Sequence, residues 1–562
     1  MKCSLVSLAE KSLLLAIALF IAQGLLFAGD LPLWSEQSST VVAPTFLVVD
    51  VQQSLATGVL TAEASCEGGL ARSEVRPVAY VCAQGLSWPV LGSAYASPLL
   101  VWPLGIVPLL GGTILHVRML GLLFGVLGLL VLYDLIRSIA DERRAAVTVL
   151  FASLSSPYIS LHALAVYYEV VPTLLLLAAS AVWARNHALS GWRAWIVGGL
   201  FGLAILSNAK ALVILALILI GLRVTREGAW PRDTVVRVAL GAALPIACIA
   251  LLASSDPHAG VSSQIGVRLT TLLTHLSPSF IVLEAGNVAL FAVDFGFYIA
   301  MAGGGDPAFL VPSIVLSALA LTTSTAALVK ALRGQAHELV AAVGSFLLWG
   351  YVVFVALVYQ QTPSANYGPL VHLFPVLFAS AFWSLCAVLE ARWPAVRARA
   401  SQWQMGLLAV ACVGLVLTLH WPHGAIRSLA PHVLSEMAQQ IREEAQPGDA
   451  ATLTLTYNHA GIFDALASLP QPTLAAHRLF ADCEQDDAEA CLDAPMRLVT
   501  CGDSPRLVVL AREVARVDEP VVSRLPASLK RTARACGATL HVEAAVPQQG
   551  ALLELIRVVP SP

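Results

Sequence analysis

Charge is scarce in this chain. Only 12% of its 562 residues are Lys, Arg, Asp or Glu, about half the roughly 25% of a soluble domain, and 57% are hydrophobic. That balance excludes an ordinary soluble protein and reads as a polytopic membrane protein. The formal net charge of -3 leaves no basic surplus for nucleic acid. Catalytic fingerprints are missing as well: no P-loop, HExxH, GxSxG or dinucleotide-type GxGxxG occurs in its proper context. No cysteine pair has the short spacing of a zinc site, and no internal repeat or low-complexity tract stands out. The apolar spans are nearly free of acids, Asp134 lying close to the end of one.

What is present is a series of long apolar runs. A helix needs about 20 apolar residues to cross a hydrocarbon core of about 30 Å. Candidate spans are 11–28, 114–136, 145–163, 170–183, 194–207, 211–222, 238–253, 309–329, 339–358, 369–389 and 405–420, about eleven in all. The first run is longer than the roughly 7–15 residues of a signal-peptide core, and Leu26-Phe27-Ala28 is a poor cleavage site. It is therefore expected to remain as a first helix.

The scarce basic residues are strongly sorted. With the N-terminus inside, inner segments hold Lys2, Lys11, Arg137, Arg143, Arg144, Arg185, Arg193, Arg223, Arg226, Arg232, Arg237, Lys330, Arg333, Arg392, Arg397 and Arg399. Outer segments before His420 hold only Arg72, Arg76, Arg118, Lys210 and Arg268. Cationic loops stay inside, so the N-terminus is expected in the cytoplasm. The same bias makes 254–306 a large outer loop, despite its apolar stretch, because counting a span there would put Lys330 and Arg392–Arg399 outside. Residues 29–112 form the first outer loop.

After His420 the composition changes. Residues 422–562 are mixed and polar, with strand-like runs at 451–456, 507–511, 539–545 and 552–559 and helix-like runs at 433–444 and 523–536. This predicts an extracytoplasmic α/β domain behind a transmembrane module of residues 1–421. Cys66 and Cys82 share the first outer loop, and Cys483, Cys491, Cys501 and Cys536 share the tail. Even numbers in outward regions suggest disulfides, although the spacing does not say which cysteines pair.

Chemistry-bearing residues gather on the outer side. Asp50 sits in a largely apolar stretch with Val48, Val49, Val51 and Leu55, where a lone carboxylate needs a polar interface or a partner. It is either a solvated loop acid or a carboxylate facing a pocket. Glu169 precedes Pro172 at the start of a span, where the helix dipole alone would favour it. Tyr167 and Tyr168 beside it, and Tyr95 in the first loop, could line a sugar. Lys210 follows Asn208, a capping residue, so its cation would oppose the positive helix end. It either snorkels to the headgroups or meets a phosphate, which both groups attract. His116 and Arg118, near the outer end of the second span, admit the same two readings. His420, His423 and His432 are too irregularly spaced to suggest a metal.

The order of these features resembles the polytopic GT-C glycosyltransferases, the group that holds protein O-mannosyltransferases and the lipid A aminoarabinose transferase. The likeness is carried by Asp50-Val-Gln-Gln-Ser-Leu-Ala-Thr-Gly-Val-Leu60, by Tyr95-Ala-Ser-Pro-Leu-Leu-Val-Trp-Pro, and by His116-Val-Arg-Met-Leu-Gly-Leu-Leu-Phe-Gly125. Glu169 stands where the group has its second acid, and Gly198-Gly-Leu-Phe-Gly-Leu-Ala-Ile-Leu-Ser-Asn-Ala-Lys210 is similar to its Gly-rich span. The first acid departs from the pattern: Asp50 is followed by Val51 rather than a second acid, and Asp30 or Glu36 competes for its role. The resemblance implies a GT-C-like α-helical polytopic fold in a bacterial-type inner membrane. It implies transfer of sugar from a polyprenyl-phosphate donor to a lipid, glycan or protein acceptor, with inversion. Asp50 and Glu169 would be catalytic, while Lys210, Arg118 and His116 would hold the donor phosphate. No cofactor is required, though Asp50 and Glu169 together would suit Mg²⁺ or Mn²⁺. A flippase for lipid-linked glycans and a non-catalytic envelope scaffold are the rival readings; a flippase would need ionisable groups near mid-membrane.

A cysteine introduced just after Trp421 should react with an impermeant thiol reagent in intact cells. Labelling only after lysis would overturn the orientation.

Overall fold

The computed structural model describes residues 2–28, 79–83, 86–91, 114–159, 161–162, 170–185, 191–208, 210–225, 232–254, 318, 321–330, 333, 339–358, 368–429, 450–455, 477–478, 497, 500–501, 506–513, 520–548 and 551–560. The chain divides into two compact units. One comprises 1–29, 118–251 and 260–426, and the other 30–117, 252–259 and 427–562.

The first unit is helical. Helix α1 is Lys2–Ala28 and α2 is Ile114–Ile139. Then come α3 Glu142–Leu154, α4 Ser156–Ile159 and α5 Val170–Arg185. Next are α6 Trp192–Ser207, α7 Lys210–Thr225 and α8 Arg232–Ser254. The last are α9 Leu339–Val358, α10 Leu373–Arg392, the short α11 Pro394–Ala398 and α12 Ala400–Leu429. Most of the apolar runs thus become helices within a few residues of their expected limits. The expected span 309–329 lies largely outside the described residues, as does the loop 254–306.

These helices are apolar on both sides. Leu122, Leu129 and Leu132 of α2 are buried, yet Leu123 and Leu130 on its other face are exposed, as are Leu244 of α8 and Val410 of α12. A helix that is hydrophobic all round belongs in a large core or a membrane, and exposed leucines decide for the membrane.

The third span is broken, and chemistry explains the break. Asp141 caps α3 by accepting from the Arg144 backbone N–H at 2.8 Å, and Arg137 reaches Glu142 at 2.8 Å across the turn from α2. The helix stops at Ser155, because Pro157 cannot donate to the ladder, and resumes as α4. Near the C-terminal end of α3 the Ser153 carbonyl accepts from Gln23 Nε2 of α1 at 3.2 Å, so one carbonyl left over at the helix end is satisfied by a side chain. On the far side, Arg185 at the end of α5 donates from Nε to Asp134 of α2 at 2.9 Å.

Glycine sets the closest helix contacts. A Cβ at Gly198 of α6 would overlap the Val238 carbonyl of α8, and one at Gly202 would overlap the Ala242 carbonyl. Gly241 of α8 faces the Trp195 backbone in return. Only residues without a side chain allow backbones this near.

In the second unit, β1 Ala79–Ala83 and β2 Leu86–Leu91 form an antiparallel hairpin. The tail carries β3 Ala450–Leu455, β4 His477–Arg478, β5 Arg506–Glu513, β6 Ala538–Gln548 and β7 Ala551–Pro560. They form one sheet in the order β4-β3-β5-β7-β6. β3 runs parallel to β4 and β5, whereas β7 is antiparallel to β5 and β6. Helix α13, Pro520–Ala535, packs on β6, burying Leu529 and Ala533. It ends at Gly537, whose φ of 68° is the left-handed stop that glycine supplies. Cys501 and Cys536 form a disulfide with Cα atoms 5.3 Å apart; Cys66, Cys483 and Cys491 lie outside the described residues.

Gly198→Val should lower the thermal midpoint of the purified protein by an amount equivalent to about 1–3 kcal/mol, the usual cost of overpacking. Gly199→Ala, where a Cβ meets nothing within 4 Å, should leave it unchanged. Equal effects of the two would remove the argument for close backbone contact.

Candidate functional site

Two cations are buried on the first unit. The inward face of α2 runs Arg118, Leu122, Gly125, Leu129 and Leu132, at spacings of three or four residues. Arg118 is only 1% exposed. His116, two residues earlier, is exposed, so the pair expected to act together is split by burial. Lys210 opens α7 and is 7% exposed. Its backbone N–H donates to Asn208 Oδ1 at 2.9 Å, the cap expected from the sequence, and Ala211 N–H donates to the Asn208 carbonyl at 2.9 Å. Neither buried cation is without a partner. Asp50, Tyr95, Tyr167, Tyr168, Glu169, Asp30 and Glu36 lie outside the described residues.

Beneath Lys210, the same face of α7 continues to Ile214 and Ile218, one and two turns on. Both line a cavity of about 160 Å³ that also touches Ile136, Leu176, Leu347 and His372. Thr173 and Ser180 are the hydroxyl groups on its wall. An apolar cavity of about 150 Å³ stays dry and accepts a hydrocarbon. The arrangement is therefore a buried lysine at the positive end of a helix whose same face, one and two turns on, lines a small apolar cavity.

The structure also brings together three residues that the spacing of the sequence did not indicate. Tyr158 of α4 donates its hydroxyl to the Gly125 carbonyl at 2.6 Å. Its ring packs edge-on against Phe20, with centroids 5.4 Å apart, and lies 4.5 Å from His162 and 5.0 Å from His372. The two imidazoles meet at 3.3 Å, Nε2 to Nε2, and are 0% and 3% exposed. A hydrogen bond between them needs one Nε2 with a proton and one without. The accepting ring therefore holds its proton on Nδ1. Both Nδ1 atoms are buried with no hydrogen-bond partner among the described residues, so the pair can still offer one donor and one acceptor. Gly128 makes the cluster possible, since a Cβ there would come within 2.5 Å of the Tyr158 hydroxyl and 3.1 Å of His372 Nε2.

A signal for this pair was present. His162 and His372 fall inside expected spans 145–163 and 369–389, and an ionisable residue inside a span marks a functional site by default. Among the described residues no group of three His, Cys, Asp or Glu could hold a metal, and Asp50 and Glu169, the carboxylates that could, lie outside them.

Replacing His162 by Leu should lower stability by about 1–3 kcal/mol, because it strands Nε2 of His372. Adding His372→Leu should restore part of that loss, which thermal unfolding of the two variants would detect. A double variant less stable by the sum of both singles would mean the rings do not share a hydrogen bond.

Comparison with known proteins puts this geometry in context. Residues 96–252 match the family model described as dolichyl-phosphate-mannose-protein mannosyltransferase, a stretch that includes Arg118, Glu169 and Lys210. No curated protein matches the chain. Among solved structures, ArnT from Cupriavidus metallidurans bound to undecaprenyl phosphate superposes with a TM-score of 0.58 at 13% identity, covering 96% of this chain and 97% of that one. The Archaeoglobus fulgidus oligosaccharyltransferase tethered to an acceptor peptide gives a TM-score of 0.53 at 13% identity, covering 97% of this chain and 74% of that one. The same archaeal enzyme, AglB, in complex with an inhibitory peptide and a dolichol-phosphate gives 0.51 at 12% identity, covering 97% and 74%. The chain therefore shares, over nearly its whole length, the fold of ArnT and of the archaeal oligosaccharyltransferase, and residues 96–252 resemble the mannosyltransferase family.

Proposed function

We propose that the chain is an integral-membrane glycosyltransferase that moves a sugar from a polyprenyl-phosphate donor to a lipid, glycan or protein acceptor. The reaction takes place on the outer face of a bacterial-type inner membrane. The observation that carries this reading is Lys210, buried at the N-terminus of α7 with Ile214 and Ile218 beneath it lining an apolar cavity. A lipid phosphate suits such a site, since phosphate is drawn both to a lysine and to the positive end of a helix, and its hydrocarbon suits an apolar wall. The structural relatives agree in kind: ArnT was captured with undecaprenyl phosphate and AglB with a dolichol-phosphate.

In this scheme Lys210 and Arg118 stabilise the phosphate as the bond to the sugar breaks, when its charge develops. Asp50 takes the proton from the acceptor hydroxyl, a role worth about 10²–10⁴-fold in rate. Glu169 orients the acceptor or the sugar, with Tyr95, Tyr167 and Tyr168 along the sugar. One in-line displacement inverts the anomeric carbon. A divalent ion would be held by Asp50 and Glu169, where it would neutralise phosphate charge; no step here depends on it.

The flippase reading gains one observation, the buried His162–His372 pair within the helices, since translocation calls for ionisable groups inside the membrane. Turnover separates the two. With labelled polyprenyl-phosphate sugars in proteoliposomes, wild type should release polyprenyl phosphate and Asp50→Asn should not, at equal expression. Lys210→Ala should raise the apparent KM for donor, by about tenfold or more for a lost charge-assisted contact. Movement of intact donor across the bilayer without release would support the flippase and sink the transferase.

A further inference from the structure

We infer that the hairpin formed by α10, α11 and α12 holds an anionic phospholipid of the surrounding leaflet. This site is separate from Lys210 and His372 and independent of the proposed transfer reaction. It needs only that the helices lie in a bilayer.

The site is a cleft of about 570 Å³ between the end of α10 and the start of α12. That is within the range of about 300–1,000 Å³ of small-molecule sites. Its walls change character along their length. Leu389, Leu407 and Val410 line one end, and Arg399, Gln402 and Trp403 line the other. An amphiphile with a short polar head and a hydrocarbon body matches such a gradient.

The charge around the polar end is predominantly positive. Arg392, Arg397 and Arg399 are all exposed within eight residues of chain, and none forms an ion pair with a carboxylate among the described residues. Glu390, the acid on the cleft wall, keeps its charge but is held by Gln404, whose Nε2 donates to its Oε1 at 2.7 Å. That bond ties α10 to α12 and fixes the cleft's width. Three guanidiniums against one carboxylate leave the described part of the hairpin net cationic, and Arg is suited to bidentate contact with phosphate. Trp393 and Trp403 are 50% and 57% exposed on either side, the placement tryptophan takes at the headgroup level of a bilayer. Val388 and Val413 are likewise exposed along the two long helices, so the apolar end of the cleft borders hydrocarbon. Phosphate-level arginines, interfacial tryptophans and an apolar groove running away from them together describe the outline of one phospholipid.

The fit favours a net negative lipid. A basic residue near a membrane surface strengthens binding to anionic lipid by about fivefold, so two arginines should matter by about 25-fold.

Delipidated full-length protein would be titrated with phosphatidylglycerol or phosphatidylcholine, counting bound lipids by native mass spectrometry. Wild type should retain one phosphatidylglycerol with clear preference over phosphatidylcholine. Arg397→Gln with Arg399→Gln should weaken that binding by about 25-fold. Both side chains are exposed, so the fold should persist. Gly406→Leu provides a second variant: Gly406 lines the cleft, and a Cβ there meets nothing within 4 Å. It should block the lipid while raising helix propensity. Equal affinity for the two lipids would overturn the site, as would phosphatidylglycerol binding unchanged in both variants. A second copy of the chain bound in place of lipid would overturn it too.

Discussion

A bilayer removes most of the gain from burying leucine, because lipid tails are as apolar as the protein interior. The helices must then be held by close backbone approach and by the few polar groups placed between them. Both devices are visible in the first unit. Gly198, Gly202 and Gly241 let α6 and α8 touch through their backbones, and Gly125 and Gly128 open one face of α2. Into that opening fit Phe20, Tyr158 and the two histidines, arriving from α1, α4, the turn after it and the start of α10. The apolar cavity beyond Lys210 shares α2 and α10 with this cluster, and His372 borders both.

Some polar groups, such as Thr148, Ser153 and Ser207, bond back to their own helix, and others join two elements. Gln23 serves a carbonyl near the end of α3, the Tyr158 hydroxyl serves a mid-helix carbonyl of α2, and Arg185 reaches Asp134 from α5 to α2. Lys210 and Arg118 differ in kind, because they are charged groups in a buried setting.

How much of this was legible in the sequence depended on whether the cause was local. Helix α9 matches its expected limits of 339–358 because a continuous apolar run ends in turn-forming residues. The capped start of α7 was readable from Asn208-Ala-Lys210, since an N-cap acts within three residues. The interruption at Ser155 was missed, although Pro157 was in plain view, because the hydrophobicity of 145–163 hides a break. The strand-like runs of the tail became β3, β5, β6 and β7, alternation being a local signal. Their order in the sheet was not readable, and neither was the pairing of Cys501 with Cys536. The same limit applies to His162 and His372. They are 210 residues apart, each sits in an apolar run, and only the packing of α10 against the third span brings them together.

The bond from Gln23 to the Ser153 carbonyl also has a consequence in time. Its two ends are 130 residues apart in the chain, and synthesis proceeds at about 5–20 residues per second. For roughly 7–26 s, then, α1 sits in the membrane with the Gln23 amide served only by the Leu19 carbonyl of its own helix and Phe20 without Tyr158. The first helix is a waiting component of the core, complete only when the third span reaches it.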